Sequence, residues 1–476
     1  MKYTDFLRQL VSLADAEDGP ALALRLSHAG KHSARLLAAT AVVPEATLHA
    51  QGQSLRRGGG GGSENEAWLT VGEAFVKALK AREGGDYQQA YKSQAAAVGA
   101  FLGRLGGESG WCLVVLYGLL NDLRWLSAVH ESIRYIPGPA LSRRLCTNRE
   151  SRILLVRHGP VSLAAWALRP LSRSACPDNL APVTRRINPA ATSRRKGVYK
   201  IAALSMKCYF KVDRPALCKN LVRATTSDPS IPPLETYPLA DQVTWQYYLG
   251  LLAFLNGDEA KARECLGWAW EKCWVGARRN QELILTYLIP LHLLNGTFPS
   301  AHLLRSYPAL ETLYSPFLDA IRTGSLHAYD TALAAAQHSF TDMACWMTME
   351  RVREVCVRTL FRTVWHACDR VSRVPVQAFK RAMELQGVDL GIKGIDTNAP
   401  TAGADDVDAL DETECIITTM IYKASLYAWF RAMTYMIANV NASQGYMKGY
   451  VSHEKRMVVL AKSSPFPALA SRRQPR

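Results

Sequence analysis

Residue types able to do chemistry are thinly and irregularly spread along this chain. The pairs His130-Glu131 and His453-Glu454 each stand without a second ligand in register, and no Cys/His spacing of the kind a zinc site needs is present. There is no G-x-x-x-x-G-K-[ST] loop to cradle a nucleotide, no strand-borne G-x-G-x-x-G, no H-E-x-x-H and no G-x-S-x-G elbow. The acids Asp405-Asp406 and Glu412/Glu414 fall in a loop and at a helix start, where carboxylates favour the helix dipole. The expectation is a protein with no catalytic residues, no cofactor and no metal. One constellation does have functional spacing. Between residues 448 and 462, Lys448, Lys455, Arg456 and Lys462 are opposed only by Glu454, with His453 beside them. Cations at that density suit the phosphate oxygens of RNA or double-stranded DNA. Few donors suited to base edges accompany them, so binding is expected to be largely sequence-independent.

The elements that must position these residues are a helix and a hairpin. The stretch from Asp408 opens with acids and then places Ile416, Ile417, Met420 and Ile421 at the spacing of one buried helical stripe. A short strand at Gly449 to Ser452, a polar turn at His453 to Arg456 and an apolar strand at Met457 to Ala461 follow. Helix then β-hairpin is the back half of a winged helix, a module that reads nucleic acid or docks partners. Met457, Val458, Val459 and Leu460 are the candidate partner-binding residues, as an edge strand offering backbone hydrogen bonds. Lysines beside such a strand also protect an exposed sheet edge.

The rest of the chain reads as helices. Small residues recur at offsets of 12 and 7 in three places: Gly250, Ala262 and Ala269; Ala78, Ala90 and Ala97; and, more faintly, Ala320, Ala332 and Ser339. Such spacing lets antiparallel helices pack closely, with Gly85-Asp86 and Gly257-Asp258 turning the chain, and it predicts tetratricopeptide-like helix pairs. Trp268, Trp270 and Trp274 cannot share one face, so at least one is expected in the core. The net charge of +16 is uneven: residues 131 to 200 hold 14 Lys and Arg against three acids. That stretch is rich in proline and reads as a disordered insertion. Eleven cysteines without a C-x-x-C pair indicate a reducing compartment. The opening residues acquire acids too early for a secretory signal. No membrane insertion is expected, since the apolar run Ala424 to Val440 is short and carries Arg431.

Several motifs together resemble a known family. Lys448 to Pro467 (KGYVSHEKRMVVLAKSSPFP) resembles the closing signature of the PCI domain-containing protein 2 family. Cys208 to Ala224, QVTWQYYLGLLAFLNGDEAKARECLGWAWEKC, RNQELILTYLIPLHLLNGTFPS, Asp86 to Leu105 and Leu120 to Trp125 are similar to the same family. The resemblance covers roughly residues 1–130 and 200–467. It implies a mainly α PCI fold, with stacked tetratricopeptide-like helical pairs capped by a C-terminal winged helix. It also implies a non-catalytic subunit of the nuclear TREX-2 mRNA-export complex, with a Sac/GANP-type scaffold and a small acidic Sem/DSS-type protein as partners. Localisation would be the nucleus, near the nuclear pore, with the cytoplasm as a second compartment; a signalosome subunit 12-like assembly scaffold is the alternative. On this frame the chain divides into an N-terminal helical segment (1–57), a helical repeat (63–130) and the basic insertion (131–199). A PCI helical repeat (200–374), a winged helix (375–467) with insertions at 387–406 and 424–447, and a basic tail (468–476) follow. The 424–447 insertion separates Lys423 from Lys448, and the signature therefore stands in two pieces.

Overall fold

The computed structural model describes residues 2–41, 43–58, 63–105, 110–134, 194–211, 214–227, 231–387, 409–421 and 446–469. The expected disorder of the basic segment and the two winged-helix insertions therefore lie almost wholly outside the described residues. The ends of the basic segment that are described, 131–134 and 194–199, are helical. Two compact units are present, Met1–Leu252 and Ala253–Arg476.

The first unit is built on helices Tyr3–Asp15, Gly19–Arg25, Lys31–Thr40, Glu45–Gly58, Ser63–Glu83, Tyr87–Leu105 and Leu113–Arg134, followed by Val198–Lys211 and Ala216–Ser227. Phe6, Leu7 and Leu10 put one stripe of the first helix into a core shared with Phe75, Phe101 and Leu119. Buried His28 is held by polar partners from three helices. His28 donates its backbone N–H to Asp122, and its ring Nε2 meets Gln94 Oε1 at 3.1 Å. Arg82 donates to the His28 carbonyl, and the imidazole lies edge-on to Phe75.

One joint recurs between helices. At Gly85-Asp86 and Gly257-Asp258 the glycine is left-handed (φ 77° and 74°). The following Asp N–H reaches back to Ala81 O and Ala253 O respectively. The Asp side chain then accepts from the N–H three residues on, capping the next helix. Gly324-Ser325 repeats this geometry, with Ser325 as the cap. So does Glu17-Asp18, where a glutamate holds the left-handed position. The small residues of the repeats behave as expected in two copies: Ala78, Ala90, Ala97, Ala262 and Ala269 are fully buried. In the third copy Ala320 is buried but Ala332 is half-buried and Ser339 exposed. Its second helix ends at Ala335, so Ser339 falls on a separate short helix, Gln337–Asp342.

The second unit continues with helices Glu259–Lys272, Arg278–Leu294, Ala301–Arg305, Pro308–Thr323, Leu326–Ala335 and Trp346–Ala367. Tyr314 and Tyr329 are fully buried, and each donates its hydroxyl to a helix carbonyl, Thr286 O and Met349 O. The expectation of a core tryptophan fails: Trp268 and Trp270 are half-buried and Trp274 is 76% exposed. Their helix turns Ala262, Cys265, Leu266 and Ala269 inward instead. No helix of the described residues is long and apolar enough to cross a membrane.

After Ala367 the unit closes in a winged helix. Strand β1 (Arg373–Pro375) leads into helix Val376–Leu385; the helix over 409–421 and the hairpin of β2 (Gly449–Ser452) and β3 (Met457–Leu460) follow. The sheet is antiparallel with order β1-β3-β2. The molecule is mainly α, helical pairs capped by a winged helix, as the sequence implies.

Candidate nucleic-acid interface

The helix over 409–421 forms because its apolar residues recur on one face. Ala409, Thr413, Ile417 and Met420 are buried at intervals of four, four and three. Ile417 and Met420 are thus core, while Ile416 and Ile421 are half-buried. The two pieces of the signature do assemble. Tyr446 and Met447 are buried and direct their backbone N–H groups to Met420 O, returning the chain to the end of that helix before β2 begins.

The hairpin is tied to the helix by charge. Arg456 lies in the left-handed region (φ 48°) and its guanidinium pairs with Asp411 and, at 3.0 Å, with Glu414. Those carboxylates, Asp411 first, push the Arg456 pKa above its usual value. His453 Nδ1 lies 2.7 Å from the other Glu414 oxygen, so the imidazole donates to the carboxylate. The Arg456 carbonyl accepts from Val376 N–H, fastening the turn to the helix that follows β1. His453 is therefore not isolated from other ligand types, as its sequence neighbours suggest. It meets Asp411 and Glu414 with ligand atoms within 4.8 Å of one another, and the Arg456 guanidinium already supplies the cation to both carboxylates.

Of the five cationic candidates, two are tied to carboxylates of the helix over 409–421 and three lie at the tip and base of the hairpin. Lys455 is exposed at the tip of the hairpin. Lys462 is exposed just past β3, and Lys448 is half-buried just before β2, where its backbone bonds Pro465 and Ala461. Lys448 and Lys462 thus share the base of the hairpin, about 13 Å from the tip at strand rise. Arg456 is paired with Asp411 and Glu414, and His453, though exposed, bonds Glu414.

The edge-strand reading of Met457, Val458, Val459 and Leu460 is corrected. Strand β3 is the central strand, paired to β1 through Arg373–Pro375 and to β2 through Gly449–Ser452. Its backbone is occupied on both sides, and Val458 and Leu460 are buried in the core. The error follows from β1, a three-residue Arg-Val-Pro strand too short to show a pattern. The same strand brings two exposed cations that were not anticipated, Arg370 and Arg373, towards the hairpin base. Leu460 N–H bonds Ser372 O, and Arg373 lies opposite Val459. Exposed Asp369 stands beside them.

The closing Ser-Ser-Pro-Phe-Pro residues fasten the wing to the helices of its own unit. Buried Arg358 donates to Pro467 O at 2.8 Å, and Phe466 sits between the Trp365 ring and the Arg358 guanidinium. Leu469 fills the space over Gly296, where a Cβ would find no room.

Helical pairs closed by this winged helix define a PCI-type protein. No family model matches the chain. A Neurospora crassa protein named CSN12 homolog is 30% identical over 422 residues, spanning 84% of this chain and 82% of its own length. A Mycosarcoma maydis CSN12 homolog is 29% identical over 81% of this chain. The Danio rerio PCI domain-containing protein 2 is 27% identical, with 81% of each chain covered. The chain belongs to the family of these CSN12 homologues and PCI domain-containing protein 2.

Proposed function

We propose that this chain is a non-catalytic PCI subunit of a TREX-2-type mRNA-export complex, and that its wing holds RNA or double-stranded DNA by the phosphate backbone. The observation that carries the nucleic-acid part is the wing's charge: Lys455 at the tip, Lys448 and Lys462 at the base. The helix over 409–421 contributes no cation: its Asp411 and Glu414 already hold Arg456, and Glu412 adds a further negative charge. Contact therefore falls to the hairpin and not to a helix laid in a groove. With Arg456 paired internally, the three lysines of the hairpin account for about 2.7 units of slope in log affinity against log salt on duplex DNA. The assembly partners in this reading are a Sac/GANP-type scaffold and a small acidic Sem/DSS-type protein, and the setting is the nucleus near its pores, with the cytoplasm a second location.

A signalosome subunit 12-like scaffold is the second reading. The relatives named CSN12 homolog favour it, as does β2, an edge strand among the described residues that carries Tyr450 at 55% exposure. Isolation of the full chain under native conditions, with mass-spectrometric identification of its stoichiometric partners, separates the two. A large PCI scaffold with a small acidic protein supports export; a set of signalosome subunits supports the alternative and overturns the first.

A further inference from the structure

A second charged surface stands in the first unit, away from the wing in sequence and independent of it. Residues 194–227 carry nine Lys and Arg and a single acid, Asp213. Helices Val198–Lys211 and Ala216–Ser227 contain no Asp or Glu at all. An ordinary solvated helix mixes both signs of charge; these two carry one sign alone.

The cations are also ordered. At 100° per residue, Lys196, Lys200, Lys207 and Lys211 fall within an arc of about 60° on the first helix and the turn before it. Tyr199, Ile201, Ala202, Ser205, Met206 and Tyr209 are buried around the opposite side. Lys196, Lys207 and Lys211 are exposed; Lys200 is half-buried, with its Nζ 4.2 Å from the centre of the Tyr117 ring, and it partly offsets the upward push that burial gives the Asp241 carboxyl. On the second helix, which packs against the first, exposed Lys219 and Arg223 lie one turn apart while Cys218 and Thr225 face inward. Exposed Arg214 stands in the connection.

We propose that this helical hairpin is a second, sequence-independent binding surface for the phosphate backbone of nucleic acid. From Lys200 to Lys211 the stripe runs about 16 Å along the helix, the axial length of roughly five phosphates of one duplex strand. Protein-binding surfaces are depleted in lysine and centred on aromatic or arginine anchors; this one is lysine-rich and its one exposed large apolar residue is Leu217 at 40%. A membrane-surface helix needs an apolar face to insert, and here that face is already buried in the protein.

The test uses the full chain with fluorescently labelled single-stranded RNA and duplex DNA, titrated between ~50 and ~200 mM salt. The variant K207Q/K211Q/K219Q/R223Q is compared with the wild type and with the wing variant K448Q/K455Q/K462Q. The helix variant is expected to flatten the slope of log affinity against log salt by about 2.8 on RNA and about 3.6 on duplex. Its loss should add to that of the wing variant. K219Q/R223Q alone should give about half the effect, which guards against misfolding of the fourfold variant. An unchanged slope in K219Q/R223Q and in a normally melting fourfold variant overturns the proposal. So does tighter binding of the wild type to phosphatidylserine vesicles than to either nucleic acid. A slope lost only in the wing variant overturns this proposal while leaving the wing reading intact.

Discussion

At Arg456 the side chain and the backbone pull in opposite directions. The guanidinium ties the wing to Asp411 and Glu414, yet φ is 48°, where any residue with a Cβ is disfavoured relative to glycine. Arg456→Ala loses the tie and keeps the backbone cost; Arg456→Gly loses the tie but relieves the backbone. Melting temperatures of the second unit are expected to fall in the order wild type, Gly, Ala, and the reverse order of the two variants would remove the tie's backbone argument. His28 supplies a pH dependence in the first unit. Burial lowers its pKa, so the unfolded chain takes a proton near pH 6.5 while the folded unit does not. The stability present at neutral pH is therefore lost as pH falls from about 6.5 towards the folded-state pKa. Asp122 works the other way, because burial raises its carboxyl and the folded state takes up that proton first. Denaturant titrations at about pH 7.5 and about pH 5.5 should show a smaller stability loss in His28→Gln than in the wild type. Parallel losses would mean the imidazole does not set the slope. The charges of these residues were plain in the sequence. Their partners were not, since Arg456 meets a carboxylate 45 residues away and His28 meets one 94 away.

The recurring joint explains how far the helical elements could be read. Gly-Asp marks it at residues 85 and 257, so those turns were visible. Gly324-Ser325 and Glu17-Asp18 make the same two hydrogen bonds with different side chains, and the pattern hides them. Gly257 has open space where a Cβ would go, whereas a Cβ on Gly324 would stand 2.9 Å from Leu360 N. Gly257→Ala is expected to cost about 1–2 kcal/mol from the left-handed backbone alone. Gly324→Ala should cost clearly more, since helix Trp346–Ala367 must also shift. Equal costs by chemical denaturation would show that the close approach contributes nothing. Strand β1 went unread for a different reason. Three residues ending in proline give no alternation to detect, and without β1 the central strand β3 passes for an edge.

For the whole molecule, the family and the mainly α architecture were legible because they rest on long local patterns: amphipathic helices, buried small residues and a terminal signature. The wing's electrostatics were only partly legible, because pairing across the fold subtracts Arg456 and adds Arg370 and Arg373 near the hairpin base. The closing Ser-Ser-Pro-Phe-Pro residues acquire a physical meaning from the same geometry, as a strap holding the wing through Arg358 and Trp365. The central claim is that this wing, through Lys448, Lys455 and Lys462, contacts the phosphate backbone. The most direct test is the salt dependence of duplex DNA binding by the full chain and by its K448Q/K455Q/K462Q variant. A slope in the variant shallower by about 2.7 is the predicted result; a slope identical to that of the wild type contradicts it.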